Sequence, residues 1–122
     1  MKDPKLTLQL LIQLDEAIQR IKWRFEEIEA PEDFTRDRSG LDSLDGIAMM
    51  LIALGETVKR LDALLDNTLG DRYPEIDWMG IKGIRNVLAH NYFSIDPEEV
   101  YNVCNSDLDS LETALNQLRR EL

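Results

Sequence analysis

Cysteine and histidine, the side chains most used for metal binding and nucleophilic chemistry, are scarce in this chain. Its 122 residues include one cysteine, Cys104, and one histidine, His90. A single cysteine cannot form a disulfide within the chain, and one histidine cannot supply a zinc site of the usual kind or the paired Glu-x-x-His motifs of a di-iron bundle. A glycine-rich phosphate-binding loop is also absent. The sequence therefore predicts no bound metal and no cofactor.

Positive charge and long apolar runs are lacking as well. There are 14 Lys and Arg against 24 Asp and Glu, which gives a formal net charge of −10 and a pI near 4.5. This balance excludes a general basic coat for nucleic acid, although it leaves a small local site possible. The longest apolar run, residues 47–54, is far short of the roughly 20 residues that span a bilayer, and no secretory signal is visible. We predict a cytoplasmic protein without a membrane anchor.

Hydrophobic periodicity predicts an all-α fold. Asp3 and Pro4 open a first helix that stops before Pro31, and a second helix covers about residues 41–65. A short third helix follows over about residues 78–89 with Asp77 as its cap, and Asp96 caps the last helix. Between the first two helices "APEDFTRDRSG" indicates a polar connection, and "DNTLGDRYPEID" indicates a turn-rich break. We predict one domain over residues 1–122, a four-helix up-and-down bundle with a short third helix.

The centre of the second helix suggests contacts on more than one side. The run "IAMMLIAL" is apolar all round, which is typical of a helix inside a bundle or of a helix that also meets a second subunit. Gly55 follows in mid-helix, where glycine is costly, so we expect another backbone to approach it closely. Trp23 lies off the apolar stripe of the first helix and is either a partly covered surface residue or a dimer contact.

The candidate chemistry lies in "GIRNVLAHNYFSID", which holds the histidine of the chain. No acidic residue occurs between Met79 and Ile95. His90 can exchange a proton near neutral pH, and Arg85 can bind a phosphate through parallel hydrogen bonds and stabilise charge in the transition state. RNA supplies its own nucleophile, the 2′-hydroxyl, so these residue types suggest phosphodiester cleavage without a metal. Asn86 is four residues before His90 and could orient the imidazole, and Lys82 lies on the same face.

Simpler interpretations of the same residues stay open. A lone histidine at the end of a helix can interact favourably with the helix dipole, and Arg85 can belong to an ordinary surface ion pair. Glu56 and Arg60 have the spacing of a solvated i, i+4 pair. Tyr92 can pack with Phe93 under the loop. Spacing alone does not bring Arg85 and His90 together, because they are about 140° apart around a helix.

The segment "RNVLAHNY" resembles the Arg-x4-His-x-Tyr motif of HepT-like proteins in the HEPN superfamily of small helical bundles. "LIALGETVKRL" is similar to the Ile-Gly-Glu segment of that family, and "RYPEIDWMGIKGIRNVLAHNYFSIDPEEVY" follows the family pattern nearly throughout. The resemblance covers the chain from Gly55 to its end, more than half of it. Before Gly55 the likeness is mainly in length and helicity.

The resemblance implies a toxin of a type II or related AMP-modifying toxin–antitoxin pair. Members are metal-independent endoribonucleases whose Arg and His act at a cleft between two copies, here Arg85 and His90, with Asn86, Lys82 and Glu56 as supporting residues. The implied antitoxin is a small nucleotidyltransferase that attaches AMP to the motif tyrosine, here Tyr92. The alternative is a non-catalytic nucleotide- or partner-binding subunit of a nucleotidyltransferase complex. The sequence does not say which RNA is cleaved.

Overall fold

The computed structural model of the chain describes residues 3–90 and 92–122, without the side chains of residues 89, 90 and 92. The described residues form helices and turns and contain no strand, so the predicted all-α class is confirmed. The up-and-down order of the bundle stays a prediction. The α-helices, in chain order, are α1 (Pro4–Phe25), α2 (Asp33–Arg36), α3 (Arg38–Leu64), α4 (Leu69–Arg72), α5 (Trp78–His90), α6 (Pro97–Asn102) and α7 (Leu108–Arg120). A 3₁₀ turn at Tyr92–Ser94 precedes α6.

The first long helix begins where the sequence predicts. The Asp3 carboxylate accepts a hydrogen bond from the backbone N–H of Leu6 at 3.1 Å, and Pro4 occupies the first helical position. The first backbone N–H groups of a helix have no partner within it. The Asp3 carboxylate accepts from one of them, and Pro4 has no N–H to satisfy. The buried stripe of α1 then repeats at helical spacing and faces α3 and α7. It consists of Thr7, Leu10, Leu11, Leu14, Ala17, Ile18 and Ile21.

The predicted polar connection after α1 is wrong in two respects. Phe34, within the short helix α2, is fully buried and packs against Phe25, with ring centroids 6.3 Å apart. In addition α3 starts at Arg38 rather than near residue 41, because the Asp37 carboxylate caps it by accepting from the N–H of Gly40 at 2.8 Å. Gly40 is therefore helical. A Cβ there would stand 2.0 Å from the backbone oxygen of Asp33, so only glycine fits.

The long helix α3 is the centre of the fold. It packs against α1 on one side and against α5 on another, and it also contacts α2. In the run at residues 47–54, Ile47, Ala48, Leu51 and Leu54 are buried within the chain, whereas Met49 is 60% exposed. The internal position of α3 thus accounts for most apolar residues of the run. Met49 remains exposed to solvent.

The last helical segment is not one regular helix, although its start is as predicted. Asp96 caps α6 by accepting from the N–H of Glu98 at 3.0 Å, and Pro97 takes the first position. Residues Val103–Asp107 then adopt a π-helical conformation before α7 continues. The buried side of α7 packs toward α1, where the Lys22 ammonium pairs with Glu112 at 2.5 Å and with Asp109 at 3.1 Å.

Candidate active site

The helix that carries the candidate residues, α5, is fixed firmly at its first turn. The Asp77 carboxylate accepts from the N–H of Gly80 at 3.0 Å, as a helix cap. The buried Trp78 indole N–H donates to the backbone oxygen of Tyr73 at 2.9 Å. These two contacts tie the start of α5 to the turn before it, so the direction of the helix is set ahead of Arg85.

Gly55 lets α5 lie close to α3. A Cβ at residue 55 would stand 2.6 Å from the backbone oxygen of Ile81 and 3.1 Å from Cγ2 of Ile84. The predicted close approach of another backbone at Gly55 is confirmed, and that backbone belongs to α5. As a consequence Glu56, the next residue of α3, is brought beside the exposed side of α5.

Arg85 and Glu56 meet across the two helices. Nη1 of Arg85 donates to Oε1 of Glu56 at 2.6 Å, and the two side chains are 60% and 47% exposed. The pairing of Glu56 with Arg60 that sequence spacing suggested is thus replaced by a contact between residues on different helices. Arginine has five N–H donors in a planar fork, and this ion pair engages one nitrogen. Among the side chains that the structure describes, no acceptor besides Glu56 contacts this guanidinium.

Lys82 forms an ion pair away from Arg85. Its ammonium forms an ion pair with Oδ2 of Asp62, which is nearly fully buried on α3. Oδ1 of Asp62 accepts from the backbone N–H of Leu69 at 3.1 Å, at the start of α4. The pair therefore joins α3, α4 and α5, and a supporting role of Lys82 at the site stays a prediction.

The rest of the motif is placed only in part. Asn86 is exposed on α5. The backbone of His90 ends α5, and that of Tyr92 begins the 3₁₀ turn. The side chains of His90 and Tyr92 lie outside the described residues, so the predicted Asn86–His90 hydrogen bond and the meeting of Arg85 with His90 stay predictions.

The described part of the chain offers few groups for metal-dependent or cysteine-based chemistry. No three His, Cys, Asp or Glu side chains there stand together as a metal site would need. Burial raises the pKa of the Cys104 thiol to about 12, so this cysteine stays protonated and is no nucleophile near neutral pH. None of the described helices is both long and apolar enough to cross a bilayer.

A family model matches most of the chain. Residues 14–118 match the family model described as "Ribonuclease HepT-like". The chain belongs to the HepT-like ribonuclease family. The matched range contains positions 56, 85, 90 and 92, and the family supports ribonuclease activity with RNA as the substrate class. It also begins well before Gly55, so the family likeness covers most of the first half of the chain.

Individual relatives are distant but bear ribonuclease names. A candidate ribonuclease HepT of Thermococcus cleftensis is 29% identical over 101 residues, which cover 78% of this chain and 88% of that protein. A candidate RNase of Methanocaldococcus jannaschii is 23% identical over 82 residues, covering 66% and 75% of the two chains, and a second from that organism is 24% identical over 94 residues, covering 74% and 72%. No solved structure matches the chain.

Sequence reasoning missed Asp62 as the partner of Lys82. A signal for it exists, because Asp62 falls beside Val58, Leu61 and Leu65 on the apolar stripe of α3. A carboxylate at such a position needs a partner when the stripe is buried. The sequence could therefore have indicated a buried ion pair, although not which cation forms it.

Proposed function

We propose that this HepT-like protein is a metal-independent endoribonuclease and the toxin of a toxin–antitoxin pair. The observation that carries the proposal is Arg85, an exposed guanidinium held by Glu56 on a helix whose last residue is His90. No acidic residue lies between positions 79 and 95. The positive charges of α5 are Lys82 and Arg85, which pair with Asp62 and Glu56, and the helix adds no carboxylate of its own that would repel RNA phosphate.

Arg85 binds the scissile phosphate in the proposed reaction. The donors that Glu56 does not engage form hydrogen bonds to the non-bridging oxygens and stabilise the charge that builds on them. The 2′-hydroxyl oxygen attacks phosphorus, the bond to the 5′-oxygen breaks, and a 2′,3′-cyclic phosphate and a free 5′-hydroxyl result. His90 takes the proton of the 2′-hydroxyl or gives one to the leaving 5′-oxygen.

If two copies form one cleft, one histidine can act as the base and the other as the acid. A symmetric homodimer places the same residues of each copy around its axis, so two His90 side chains share the roles of base and acid. Two exposed methionines, one on each of the helices that carry the Arg85–Glu56 pair, support such a face. Met49 lies seven residues before Glu56 on α3, and Met79, 85% exposed, lies seven before Asn86 on α5, which places each on the same side of its helix as that residue.

Cleavage of a labelled RNA tests the proposal. Arg85→Ala and His90→Ala should each lower the rate by about 10²–10³, the usual effect of losing one charge-stabilising donor. Products should end in 2′,3′-cyclic phosphate, and EDTA should leave the rate unchanged. The matched control is Arg60→Ala, which removes an exposed arginine of α3. A requirement for magnesium, or full activity of both variants, would contradict the mechanism.

Expression in cells separates a toxin from a partner-binding subunit. The wild-type protein alone should slow growth, and His90→Ala should relieve the effect at equal protein level. A subunit that binds a nucleotidyltransferase and cleaves nothing would be harmless in both forms. That result would favour the alternative function.

Regulation through Tyr92 forms the second half of the proposal. The Tyr92 oxygen attacks the α-phosphate of ATP on a small nucleotidyltransferase, the bond to pyrophosphate breaks, and AMP remains on the tyrosine. Because Tyr92 is two residues beyond His90, the added phosphate and nucleoside would pair with Arg85 and obstruct RNA. The support is the resemblance of the segment around Tyr92 to the family motif, within residues 14–118 that match the family model.

Mass spectrometry after incubation with ATP and such an enzyme tests this step. The wild type should gain the mass of AMP, Tyr92→Phe should gain none, and Tyr92→Phe should remain toxic beside the partner. Tyr101→Phe is the control, since the Tyr101 hydroxyl donates to the backbone oxygen of Glu29 in the bundle. If the partner silences Tyr92→Phe as well as the wild type, complex formation alone inhibits.

A further inference from the structure

A groove lies between α5 and the C-terminal segment formed by α6, the π-helical stretch and α7. Its main cavity holds about 360 Å³, and a smaller one of about 120 Å³ shares the walls Val87, Leu88, Glu99 and Val100 with it. The first volume alone is in the range of pockets that bind ligands, roughly 300–1,000 Å³. The floor is apolar and consists of Ile76, Ile81, Ile84, Leu88, Val100 and Val103.

The rim of this groove carries charge of one sign. Glu75, Asp77, Glu99 and Asp107 line the main cavity, and Asp96 lines the smaller one. No Lys or Arg is found among the described residues that line either cavity. Carboxylates around an apolar floor repel RNA phosphate and attract cations, so this surface has the opposite preference to Arg85.

Packing explains why the groove exists. The lack of a side chain at Gly55 lets α5 lie against α3. Within the described residues, α5 makes its extensive backbone contacts with α3 rather than with the C-terminal segment. On the other side the π-helical stretch contributes Val103 and Asp107 to the cavity wall. π-Helical turns inside α-helices occur often at functional sites. The opening therefore follows from two features of the backbone rather than from one missing side chain.

We propose that this groove binds a basic amphipathic segment of a partner protein. An aliphatic or aromatic side chain of that segment enters the cavity, and flanking Lys or Arg residues pair with Glu75, Glu99 and Asp107. The mode is that of a helix or extended segment laid in an apolar groove, in which the anchor provides affinity and the charges provide orientation and rate. A second copy of this chain, at net charge −10, is disfavoured at a rim that is itself acidic.

The position of the groove allows this partner and RNA to bind together. Val87 on the groove side is two residues from Arg85, which places the two about 160° apart around α5. The partner would contact the reverse face of the helix that carries the ribonuclease motif. The inference concerns binding alone and does not depend on whether the protein cleaves RNA.

Calorimetric titration of the full-length protein with a synthetic lysine–leucine–tryptophan amphipathic peptide tests the proposal. The wild type should bind it, and Glu99→Lys/Asp107→Lys should weaken binding at least about tenfold. Asp42→Lys/Asp45→Lys is the matched control: it changes net charge equally at exposed residues of α3 away from the groove, and it should keep nearly full affinity. The same peptide with serine in place of its apolar residues should bind much more weakly.

Amide chemical shifts locate the peptide and complete the test. Shifts concentrated at Val87, Val100 and Val103 support the groove. Equal loss of affinity in both double variants, or shifts spread over the acidic surface, would show unspecific attraction and overturn the proposal. A change in oligomeric state of the groove variant without peptide would identify a second copy as the occupant and overturn it as well. Glu75→Gln/Glu99→Gln provides a milder variant if the lysine substitutions impair folding, which circular dichroism reports.

Discussion

Glu56 is the residue that decides how Arg85 is presented. Its carboxylate holds one guanidinium nitrogen at 2.6 Å, and both side chains are about half exposed. An exposed ion pair contributes at most about 1 kcal/mol to stability. Its value lies in orienting the planar fork of Arg85, so Glu56 acts as a positioning residue in the proposed reaction.

Replacement of Glu56 should therefore change the rate of cleavage more than the stability. We expect Glu56→Ala to lower the cleavage rate about tenfold or more through misplacement of Arg85, while the urea midpoint hardly moves. Glu56→Gln keeps an oxygen that can accept from Nη1 and should retain most of the activity. Faster cleavage by Glu56→Ala would instead mean that Glu56 competes with the RNA phosphate.

Cys104 gives a prediction that rests on its raised pKa. Burial raises the pKa of the Cys104 thiol from its ordinary value of 9.0 to about 12. At a pH equal to that ordinary value, the folded protein therefore has almost no thiolate at Cys104. Iodoacetamide at that pH should modify Cys104 slowly in the native protein and rapidly in urea, as mass spectrometry can follow. Equal rates in both conditions would show that the C-terminal segment opens readily around Cys104.

At the scale of elements, the contact between α3 and α5 depends on Gly55. A Cβ there would come within 2.6 Å of a backbone oxygen, which cannot move without shifting α5. Gly55→Ala should lower the free energy of unfolding by about 1–3 kcal/mol and should also reduce RNA cleavage. Gly70→Ala is the control in urea denaturation: nothing lies within 4 Å of the added atom, so stability should stay level or rise by up to about 1 kcal/mol.

The pair between the buried Asp62 and the partly buried Lys82 should be strongly coupled. Asp62→Ala leaves the Lys82 ammonium and the N–H of Leu69 without their partner, and we expect a loss of about 3–5 kcal/mol. Lys82→Met leaves the buried carboxylate unpaired and should cost a similar amount. Denaturation of the double variant should show a much smaller loss than the sum of the two. Simple additivity would mean that the ion pair is not formed in solution.

Sequence predicted the helices better than it predicted their connections. Caps are local, so Asp3, Asp77 and Asp96 could be identified from their neighbours, and each accepts the expected kind of hydrogen bond. Phe34 could not, because one buried residue in a short polar stretch has no periodicity to detect. The π-helical stretch likewise depends on packing against other elements rather than on local composition.

The candidate site was predictable to a similar degree. Arg85 stood out because it occurs in the acid-free window, and Gly55 because glycine is unfavourable in mid-helix. The contact of Arg85 with Glu56 joins residues 29 positions apart on different helices, and no local spacing encodes it. Sequence spacing therefore favoured Arg60 for Glu56, and tertiary packing decided otherwise.

For the whole molecule, the main expectation is a homodimer that buries more than roughly 1,000 Å². We expect Met49→Glu, which adds charge beside the proposed cleft, to give monomers in sedimentation at micromolar concentration and to lower cleavage. Ile12→Glu changes a similarly exposed apolar residue on α1 and should leave the dimer intact. A wild-type protein that sediments only as a monomer would remove the shared cleft from the mechanism.

The π-helical stretch between α6 and α7 affects which chain lengths the fold accepts. Each hydrogen bond there spans five residues instead of four, so the stretch accommodates one residue more than an α-helical turn would. Deleting a residue within Val103–Asp107, such as the exposed Asn105, would restore α-helical geometry and keep Leu111, Leu115 and Leu118 turned toward α1. Deleting one residue inside α7 would instead rotate everything beyond it by about 100° and turn its apolar residues toward water. Homologues one residue shorter at this point are thus compatible with the same bundle, whereas homologues one residue shorter between Leu108 and Leu118 are not.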